Sequence, residues 1–419
     1  MSIGAEGRRA ISFDDARATI LAAASSRVMP TEFVPLDDSL GRTLREDLIA
    51  EEPNPRFANS AMDGYAVRSA DIASVPVSLR VLEVVPAGRV PSLAVGPGEA
   101  IKVMTGAPIP EGADVVVPVE RTSSSSPDSV SVLVSLPIGE HVRPAGEDFG
   151  AGEKLVSSGR GIDPGVIAIL AALGHPTAEV SLLPRVAVIS TGDELVSPGE
   201  DVGPGQIRDS NSHTIRAMIR AAGCEPGPCW RVVDDADAVA QAVRRVVDHC
   251  EVIITLGGIS AGDFDPVKQA LTSMGEIELW KVAMKPGSPQ AFGTVEGKLF
   301  FGLPGNPVSS AVVFEMLVRP ALYALLGRSN LDRPSIRAML PVEISSIKNR
   351  RDFLRVRLTG DMTNGLLAEL TGTQSSGALS SLTKASGLAV IAESVESQRA
   401  GTIVHVILTD SELRPTPRI

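Results

Sequence analysis

Aromatic residues and cysteines are scarce in this chain of 419 residues. Phe, Trp and Tyr make up 3% of it, so we expect an aliphatic core and no aromatic platform for stacking single-stranded nucleic acid. The only cysteines are Cys224, Cys229 and Cys250, and their number and spacing fit neither a disulfide framework nor a zinc site. This scarcity favours a reducing compartment, and we predict a cytoplasmic protein.

An excess of basic residues is also lacking. The chain has 39 Lys and Arg against 50 Asp and Glu, a net charge of −11. That balance disfavours binding to nucleic acid or to an anionic membrane surface. We also find no N-terminal signal core and no run of 18 apolar residues that could span a membrane. Together with the charge, this predicts that neither nucleic acid nor a membrane is a partner. A small anionic ligand at a locally basic site remains compatible with this charge.

The residue pattern changes several times along the chain, and its length predicts two to four domains. Helical periodicity comes first, then short Val-rich runs between turns, then strands alternating with helices, and finally strands again. We therefore predict a helical and mixed N-terminal domain (12–50 and 145–180), an inserted small β-domain (51–144), a doubly wound α/β domain (181–328) and a C-terminal β-barrel-like domain (329–412).

The predicted strands of the α/β domain end in polar, glycine-rich loops. The loops are TGDEL (191–195), GGISAGDFD (257–265), KPG (285–287) and LPGNPVS (303–309). Ligands of a doubly wound parallel sheet bind beyond the carboxyl ends of its strands, so these loops would line one pocket. None of them is a P-loop or a dinucleotide-binding glycine motif. Each alone could be an ordinary turn or helix entry, but four on one edge indicate a site.

The residue types in these loops point to a phosphorylated ligand. Glycines allow backbone N–H groups to approach a phosphate, and helix N-termini favour an anion. Lys281 and Lys285 add positive charge, although both could also be solvated surface residues. Glu194, Asp234 and Asp265 stand at loop or strand ends and suit Mg²⁺, which prefers carboxylates together with phosphate oxygens.

Two further motifs lie outside the α/β domain. NSAMDGYAV (59–67) is polar and contains glycine, and RPAGED (143–148) holds an arginine and two acids within six residues. The first could be a simple Asp-Gly turn and the second a charged turn at a domain boundary.

With these motifs, and with MTGAPIP (104–110), IRDSNS (207–212) and RRDFLRV (350–356), the chain resembles the molybdopterin molybdenumtransferase (MoeA) family, which includes the E domain of gephyrin. The resemblance runs from about residue 12 to 410. It implies an α/β multidomain fold whose doubly wound domain is molybdopterin-binding-like. It also implies a reaction in which adenylylated molybdopterin and molybdate bind, the phosphoanhydride is hydrolysed with Mg²⁺, AMP leaves, and molybdenum joins the dithiolene.

The resemblance also implies an elongated homodimer, with contacts to molybdopterin adenylyltransferase and to proteins of molybdoenzyme maturation. The active site would lie between the α/β domain of one subunit and the β-domain region of the other. Asp63, Thr105 and Asp148 would then reach across the dimer.

The resemblance assigns site residues as expectations. The catalytic set is Asp63, Thr105, Asp148, Glu194, Asp234, Lys281 and Lys285. The substrate-binding set is Thr191, Gly192, Ser210, Asn211, Gly257, Gly258, Ser260, Pro304, Asn306 and Pro307. For molybdate we expect Lys285, Ser309, Arg350 and Ser376, and for Mg²⁺ Glu194, Asp234 and Asp265.

Departures from the family pattern are few: Ala58 stands where many relatives have Asp, Asn349 where Gly is usual, and Asp352 where Glu is common. The last two weaken the molybdate assignment in the C-terminal domain more than they weaken the assignment of the reaction.

Three other functions stay open, namely a non-catalytic gephyrin-like scaffold, a molybdopterin adenylyltransferase, and a relative that uses tungstate. Dependence on ATP separates the adenylyltransferase from the insertase.

Overall fold

The computed structural model describes residues 9–258, 274–361 and 365–409. The chain divides into two compact units. One unit contains Met1–Glu46, Ser158–Pro164 and Thr177–Ile419, and the other contains Asp47–Ser157 and Gly165–Pro176. We call them the large unit and the inserted unit. The finer division into four domains stays a prediction.

A seven-stranded sheet forms the centre of the large unit. Its strands in spatial order are Arg9–Ile11, Gly275–Val282, Pro289–Val295, Lys298–Leu303, Val252–Leu256, Arg185–Thr191 and Glu225–Val232. All neighbours pair in parallel except at Pro289–Val295, which is antiparallel to the strands on both sides. The sheet is therefore mixed, because this one strand runs against the parallel direction that is typical of a doubly wound sheet.

Both faces of this sheet are covered, as a doubly wound fold requires. Within the strand Arg185–Thr191, Val186 and Val188 belong to one apolar cluster, whereas Ala187 and Ile189 belong to another on the opposite face. Alternate residues of a strand point to opposite faces, so near-continuous burial of this strand reflects packing on both sides. The prediction of a doubly wound α/β domain is confirmed.

The helices of the large unit begin and end at residues with the expected capping chemistry. The Ser12 hydroxyl accepts a hydrogen bond from the Asp15 N–H at 3.0 Å, and Asp235 caps its helix in the same way. Gly223, with a φ of +71°, follows the end of the helix Asn211–Ala221. Among the described residues of this unit, the α-helices are Phe13–Ser25, Asn211–Ala221, Ala236–Val246, Pro307–Val313, Arg319–Leu325 and Ser380–Lys384.

The long apolar helix is continuous from Pro307 to Leu325 but contains a π-helical segment, Phe314–Val318. Pro320 lacks an N–H and cannot complete the regular hydrogen-bond ladder at this point, which accounts for the wider turn. By length and composition this helix could cross a membrane, yet 89% of its apolar window is buried inside the protein. Its apolar surface is thus used in the core of the large unit.

The C-terminal part of the large unit forms a closed barrel, which confirms the predicted β-barrel-like domain. Its five strands, each paired to the next around the ring, are Arg351–Asp361, Gly365–Leu370, Ser335–Met339, Ile403–Leu408 and Gly387–Ile391. The short strand Met284–Lys285 pairs with the outer edge of Arg351–Asp361 and places Lys285 opposite Asp352. This pairing links the KPG turn to the barrel.

A six-stranded sheet forms the inserted unit. In spatial order its strands are Val115–Pro118, Gly64–Val67, Glu99–Val103, Val77–Val85, Ser129–Val132 and Thr122–Ser126. Tyr65 and Val67 pack into one apolar cluster and Ala66 into another, so this small sheet is also buried on two faces. The helix Pro164–Ala172 is followed by Gly174, whose φ is +83°.

Short elements complete the fold. Two-stranded pairs join Asn59–Ser60 to Val142–Arg143, Leu48–Ile49 to Lys154–Val156, Thr31–Pro35 to Thr177–Ser181, Leu195–Val196 to Ile207–Arg208, and Ile344–Ser345 to Ser397–Gln398. Single 3₁₀ turns occur at Leu36–Asp38, Ser69–Ile72, Val119–Arg121 and Val247–His249.

Candidate active site

The glycine-rich loops meet at the carboxyl ends of three neighbouring strands. The Gly257 N–H donates to the Leu303 carbonyl at 3.1 Å, and a Cβ added to Gly257 would lie 2.8 Å from the Thr191 carbonyl oxygen. A Cβ on Gly305 would lie 3.6 Å from the Gly257 Cα. These contacts bring Thr191, Gly257 and the LPGNP loop together, and they explain why only glycine fits at position 257.

Gly257 and Gly258 both have positive φ values, +87° and +67°, which L-residues rarely adopt. Next to them, the Thr191 hydroxyl is buried and has no hydrogen-bond partner within the part of the chain that the structure describes. A buried hydroxyl without a partner is uncommon and is readily satisfied by a ligand. Ser260 and Asp265, also predicted here, lie outside the described residues.

Two helices begin at this same edge. The Asn211 side-chain amide donates to the Gly305 carbonyl at 2.6 Å, which ties the start of one helix to the LPGNP loop. Asp209, rather than Ser210, accepts the hydrogen bond of the capping N–H, from Ser212 at 3.0 Å. The Ser210 hydroxyl is therefore not used as a cap. Pro304, Asn306 and Pro307 lead into the second helix, and Asn306 makes no side-chain cap there.

Acidic side chains gather beside these helix starts. Glu194 is exposed, and its carboxylate lies over Gly192, where an added Cβ would be 2.6 Å from Oε2. The Asp234 N–H donates to Asp193 Oδ1 at 3.2 Å, and this brings Asp234 to the same end of the sheet. Sequence reasoning did not single out Asp193. No group of three or more metal-ligating side chains is preassembled among the residues described.

The KPG turn is tightly constrained. Gly287 has a φ of +99°, and an added Cβ would lie 2.3 Å from Val313 Cγ2 and 3.5 Å from the Ser309 carbonyl oxygen. The buried Gln290 amide donates to the Gly287 carbonyl at 2.7 Å. Lys285 is exposed at the start of this turn. The turn is therefore packed against the helix that carries Ser309.

Three of the four residues predicted for molybdate come close to one another. Beyond the contact of the KPG turn with Ser309, the Ser376 carbonyl accepts a hydrogen bond from the Val308 N–H at 3.1 Å. Lys285, Ser309 and Ser376 therefore lie around the start of one helix. Such a helix start favours an anion.

Arg350 has a different environment. Its guanidinium forms a bidentate ion pair with the buried Asp352, with N–O distances of 2.8 and 3.1 Å. Arg350 also lines a cavity of about 480 Å³ together with Lys281 and Ser288. Part of its charge is thus already balanced by the protein.

Arg355 was missed by sequence reasoning and lies beside the Ser376 loop. Its Nη2 donates to the Ser375 carbonyl at 3.0 Å and its Nε to the Ser381 hydroxyl at 3.2 Å. No carboxylate contacts it among the described side chains, and burial lowers the pKa of its guanidinium. Arg355 lies two residues after the buried Phe353 on the same strand, so both side chains point to the same face. This period of two in the sequence could have indicated that Arg355 is buried.

In the inserted unit, Asp63 and Thr105 form a direct pair. Asp63 Oδ1 accepts hydrogen bonds from the Thr105 backbone N–H and from the Thr105 hydroxyl, both at 2.7 Å. These two bonds, the backbone one first, lower the pKa of Asp63, and nearby Lys102 acts in the same direction. The carboxylate is therefore ionised at neutral pH and cannot act there as a proton donor.

The three motifs of the inserted unit converge. Asn59–Ser60 pairs with Val142–Arg143, and the Ser60 N–H donates to the Ala107 carbonyl at 2.9 Å. Asp148 accepts a hydrogen bond from the Asn54 side chain at 3.0 Å, so it is held by a partner different from that of Asp63. NSAMDGYAV, MTGAPIP and RPAGED thus form one neighbourhood.

Comparison with known proteins matches three family models along the chain. They are described as MoeA N-terminal region (domain I and II), at residues 11–174, probable molybdopterin binding domain, at 187–324, and MoeA C-terminal region (domain IV), at 337–409.

Among curated proteins, the chain is 41% identical over 385 residues to molybdopterin molybdenumtransferase 2 of Mycobacterium tuberculosis H37Rv, covering 89% of this chain and 94% of the relative. The molybdopterin molybdenumtransferase of Staphylococcus aureus COL is 34% identical over 390 residues, 92% of each chain. The crystal structure of a molybdopterin biosynthesis MoeA protein from Pyrococcus horikosii aligns with a TM-score of 0.80 at 33% identity, covering 96% of this chain and 100% of that one.

Proposed function

Because the chain belongs to the molybdopterin molybdenumtransferase family, transferases of molybdenum cofactor biosynthesis, we propose that it inserts molybdenum from molybdate into adenylylated molybdopterin. In this reaction the phosphoanhydride is hydrolysed with Mg²⁺, AMP leaves, and molybdenum joins the dithiolene. The main support is the convergence of Thr191, Gly257 and Gly305 beside two helix starts. That arrangement offers to a phosphorylated ligand backbone N–H groups and the Thr191 hydroxyl, which has no partner within the described parts of the chain.

The proposed oxyanion site lies around the start of the Pro307 helix. Molybdate is a tetrahedral dianion and needs fixed donors. Lys285, Ser309 and Ser376 supply a cation, a hydroxyl and a loop that is tied to the helix. Arg350 is assigned to this site from the sequence. Arg355 is added because its guanidinium contacts the Ser376 loop and no described carboxylate balances its charge. Lys281 would balance charge on the anhydride oxygens.

The proposed Mg²⁺ site uses Glu194 and Asp234, with Asp265 as a third candidate from the sequence. Glu194 and Asp234 are exposed, so both can offer carboxylate oxygens to a metal ion. This donor chemistry fits Mg²⁺, which takes carboxylates and completes its shell with phosphate oxygens. When bound, Mg²⁺ supplies positive charge to the phosphate oxygens of the departing AMP.

Asp63 and Asp148 are proposed to orient the attacking oxygen. The ionised Asp63 can accept a hydrogen bond from that oxygen, while Thr105 fixes the carboxylate from its other side. Asp148, held by Asn54, would act in the same way. We further propose a cytoplasmic homodimer in which these residues complete the α/β site of the other subunit.

The experiment is release of AMP from adenylylated molybdopterin by the purified chain without ATP, with molybdate and Mg²⁺ varied independently. The proposal expects release to require the protein, the oxyanion and Mg²⁺. Formation of adenylylated molybdopterin and pyrophosphate from ATP and molybdopterin, with no AMP release from the adenylylated pterin, would instead identify an adenylyltransferase. Binding of the pterin without any AMP release would indicate a non-catalytic scaffold. Equal rates of AMP release with molybdate and with tungstate would show that the site does not distinguish these two oxyanions.

A further inference from the structure

A cavity of about 580 Å³ lies in the large unit. Arg355, which was added above to the proposed oxyanion site, lines one side of it, and the other described residues proposed to bind substrate do not line it. Three elements enclose it: the helix Asn211–Ala221, the long helix that begins at Pro307, and the C-terminal barrel. One wall is apolar, formed by Ala217, Met218, Ala311, Leu382 and Leu388. An apolar wall of this kind accommodates the aliphatic body of a ligand.

The other wall carries an imbalance of charge. Glu315, Arg319, Arg333 and Arg355 line it, which gives three guanidinium groups and a single carboxylate. Glu315 contacts Arg319, with Oε1 2.8 Å from Nε, and it also contacts Arg333. Arg355 bonds only to carbonyl and hydroxyl oxygens among the described residues. The wall therefore holds more buried positive charge than its one acid can balance.

Arg319 is incompletely satisfied. Its side chain is 2% exposed, and its Nε lies 2.8 Å from Glu315 Oε1 without the geometry of a hydrogen bond. Neither Nε nor Nη1 has a hydrogen-bond partner among the described residues. The rings of Phe314 and Tyr323 lie 5.7 and 6.0 Å from the guanidinium carbon, which favours a cation there but provides no acceptor. Buried charged groups left without hydrogen bonds are unfavourable, and a ligand that brings acceptors and negative charge relieves this.

We propose that this cavity binds a small organic acid, with its carboxylate against the arginine wall and its aliphatic body against the apolar wall. A carboxylate matches the planar guanidinium group better than a spherical anion does. The aliphatic body distinguishes this ligand from the inorganic oxyanion of the proposed reaction. None of the residues assigned to pterin, AMP, molybdate or Mg²⁺ from the sequence lines this cavity.

The first test is calorimetric titration of the full chain with hexanoate, with hexanol and sulfate as probes that lack the charge or the aliphatic body. We expect one saturable hexanoate site per chain, and binding at least about tenfold weaker for either control probe, as expected for a charge-assisted pair. Absence of hexanoate binding, equal binding of hexanol, or tighter binding of sulfate would each overturn the proposal.

The second test uses matched variants. Arg333→Gln should weaken hexanoate binding at least about tenfold, whereas Arg337→Gln, an exposed arginine on the neighbouring strand, should change it less than about twofold. Ala217→Leu, at an exposed helical position that lines the cavity, should also weaken binding by occupying space. Equal effects of the two arginine variants would contradict the site. AMP release should be unchanged in Arg333→Gln, which separates this inference from the proposed function.

Discussion

At the scale of single residues, the environment of each charged group decides its role. Asp63 accepts two hydrogen bonds from Thr105, and its pKa is lowered. Arg350 is neutralised by Asp352, whereas Arg355 is buried without a carboxylate partner among the described residues. Sequence alone suggested Arg350, since both arginines stand in RRDFLRV and the sequence does not reveal which one is already paired.

The pKa of Asp63 gives a prediction on pH dependence. Thr105→Val removes the hydroxyl donor and keeps the backbone donor, so the pKa of Asp63 should rise towards its ordinary value. Because the ionised form is the active one, the acid limb of the pH–rate profile should move to higher pH. Thr105→Ser keeps the hydroxyl and should leave the limb in place. An unshifted limb in Thr105→Val would contradict the proposed role of Asp63.

The two arginines give a second prediction. Arg355→Gln should raise the KM for molybdate by roughly tenfold or more, the loss expected for a charge-assisted hydrogen bond. Arg350→Gln should raise it less, because Asp352 already binds that guanidinium. Circular dichroism and thermal unfolding would verify that both variants fold. A larger increase in the KM for molybdate in Arg350→Gln than in Arg355→Gln would show that Arg350, the residue assigned from the sequence, is the main arginine that contacts molybdate.

At the scale of elements, the tight KPG turn connects the oxyanion site to the core. Gly287 combines a positive φ with contact against Val313 on the long helix. The contact with Val313 depends on how the turn packs against the rest of the large unit. The sequence KPG predicts a turn, but it does not reveal which helix the turn packs against.

Gly287→Ala should therefore destabilise the large unit by more than the approximately 1–2 kcal/mol that a left-handed backbone costs an L-residue. Gly401→Ala serves as the control, because Gly401 has a φ of +86° and open space where a Cβ would lie. Adding Val313→Ala to Gly287→Ala should recover part of the loss. Urea unfolding measures all three. Equal losses for Gly287→Ala and Gly401→Ala would show that the contact with Val313 does not matter.

At the scale of the whole molecule, the sequence predicted the alternation of strands and helices, the glycine loops at one sheet edge and the C-terminal barrel. It did not predict the edge strand Glu225–Val232, because Pro226 and Pro228 are unfavourable within a strand and are tolerated only at an edge. The antiparallel strand Pro289–Val295 was missed because strand direction depends on connections rather than on residue pattern.

The proposed dimer gives a prediction at this scale. Asp63→Asn and Glu194→Gln should each abolish most AMP release while leaving thermal unfolding unchanged, since both residues are exposed. A heterodimer of the two variants, co-expressed and purified through two different tags, should show about half of the wild-type activity, because one of its two sites carries neither substitution. An inactive heterodimer would show that each site is built within one chain.

The central claim is the coupling of anhydride cleavage to molybdenum transfer. The most direct measurement compares, in one reaction without ATP, the amount of AMP released with the amount of molybdenum bound to the pterin product. We predict equal amounts of the two, and no AMP release above background when molybdate is omitted. AMP release at the same rate without molybdate, or release without molybdenum in the product, would contradict the assignment as a molybdenum insertase.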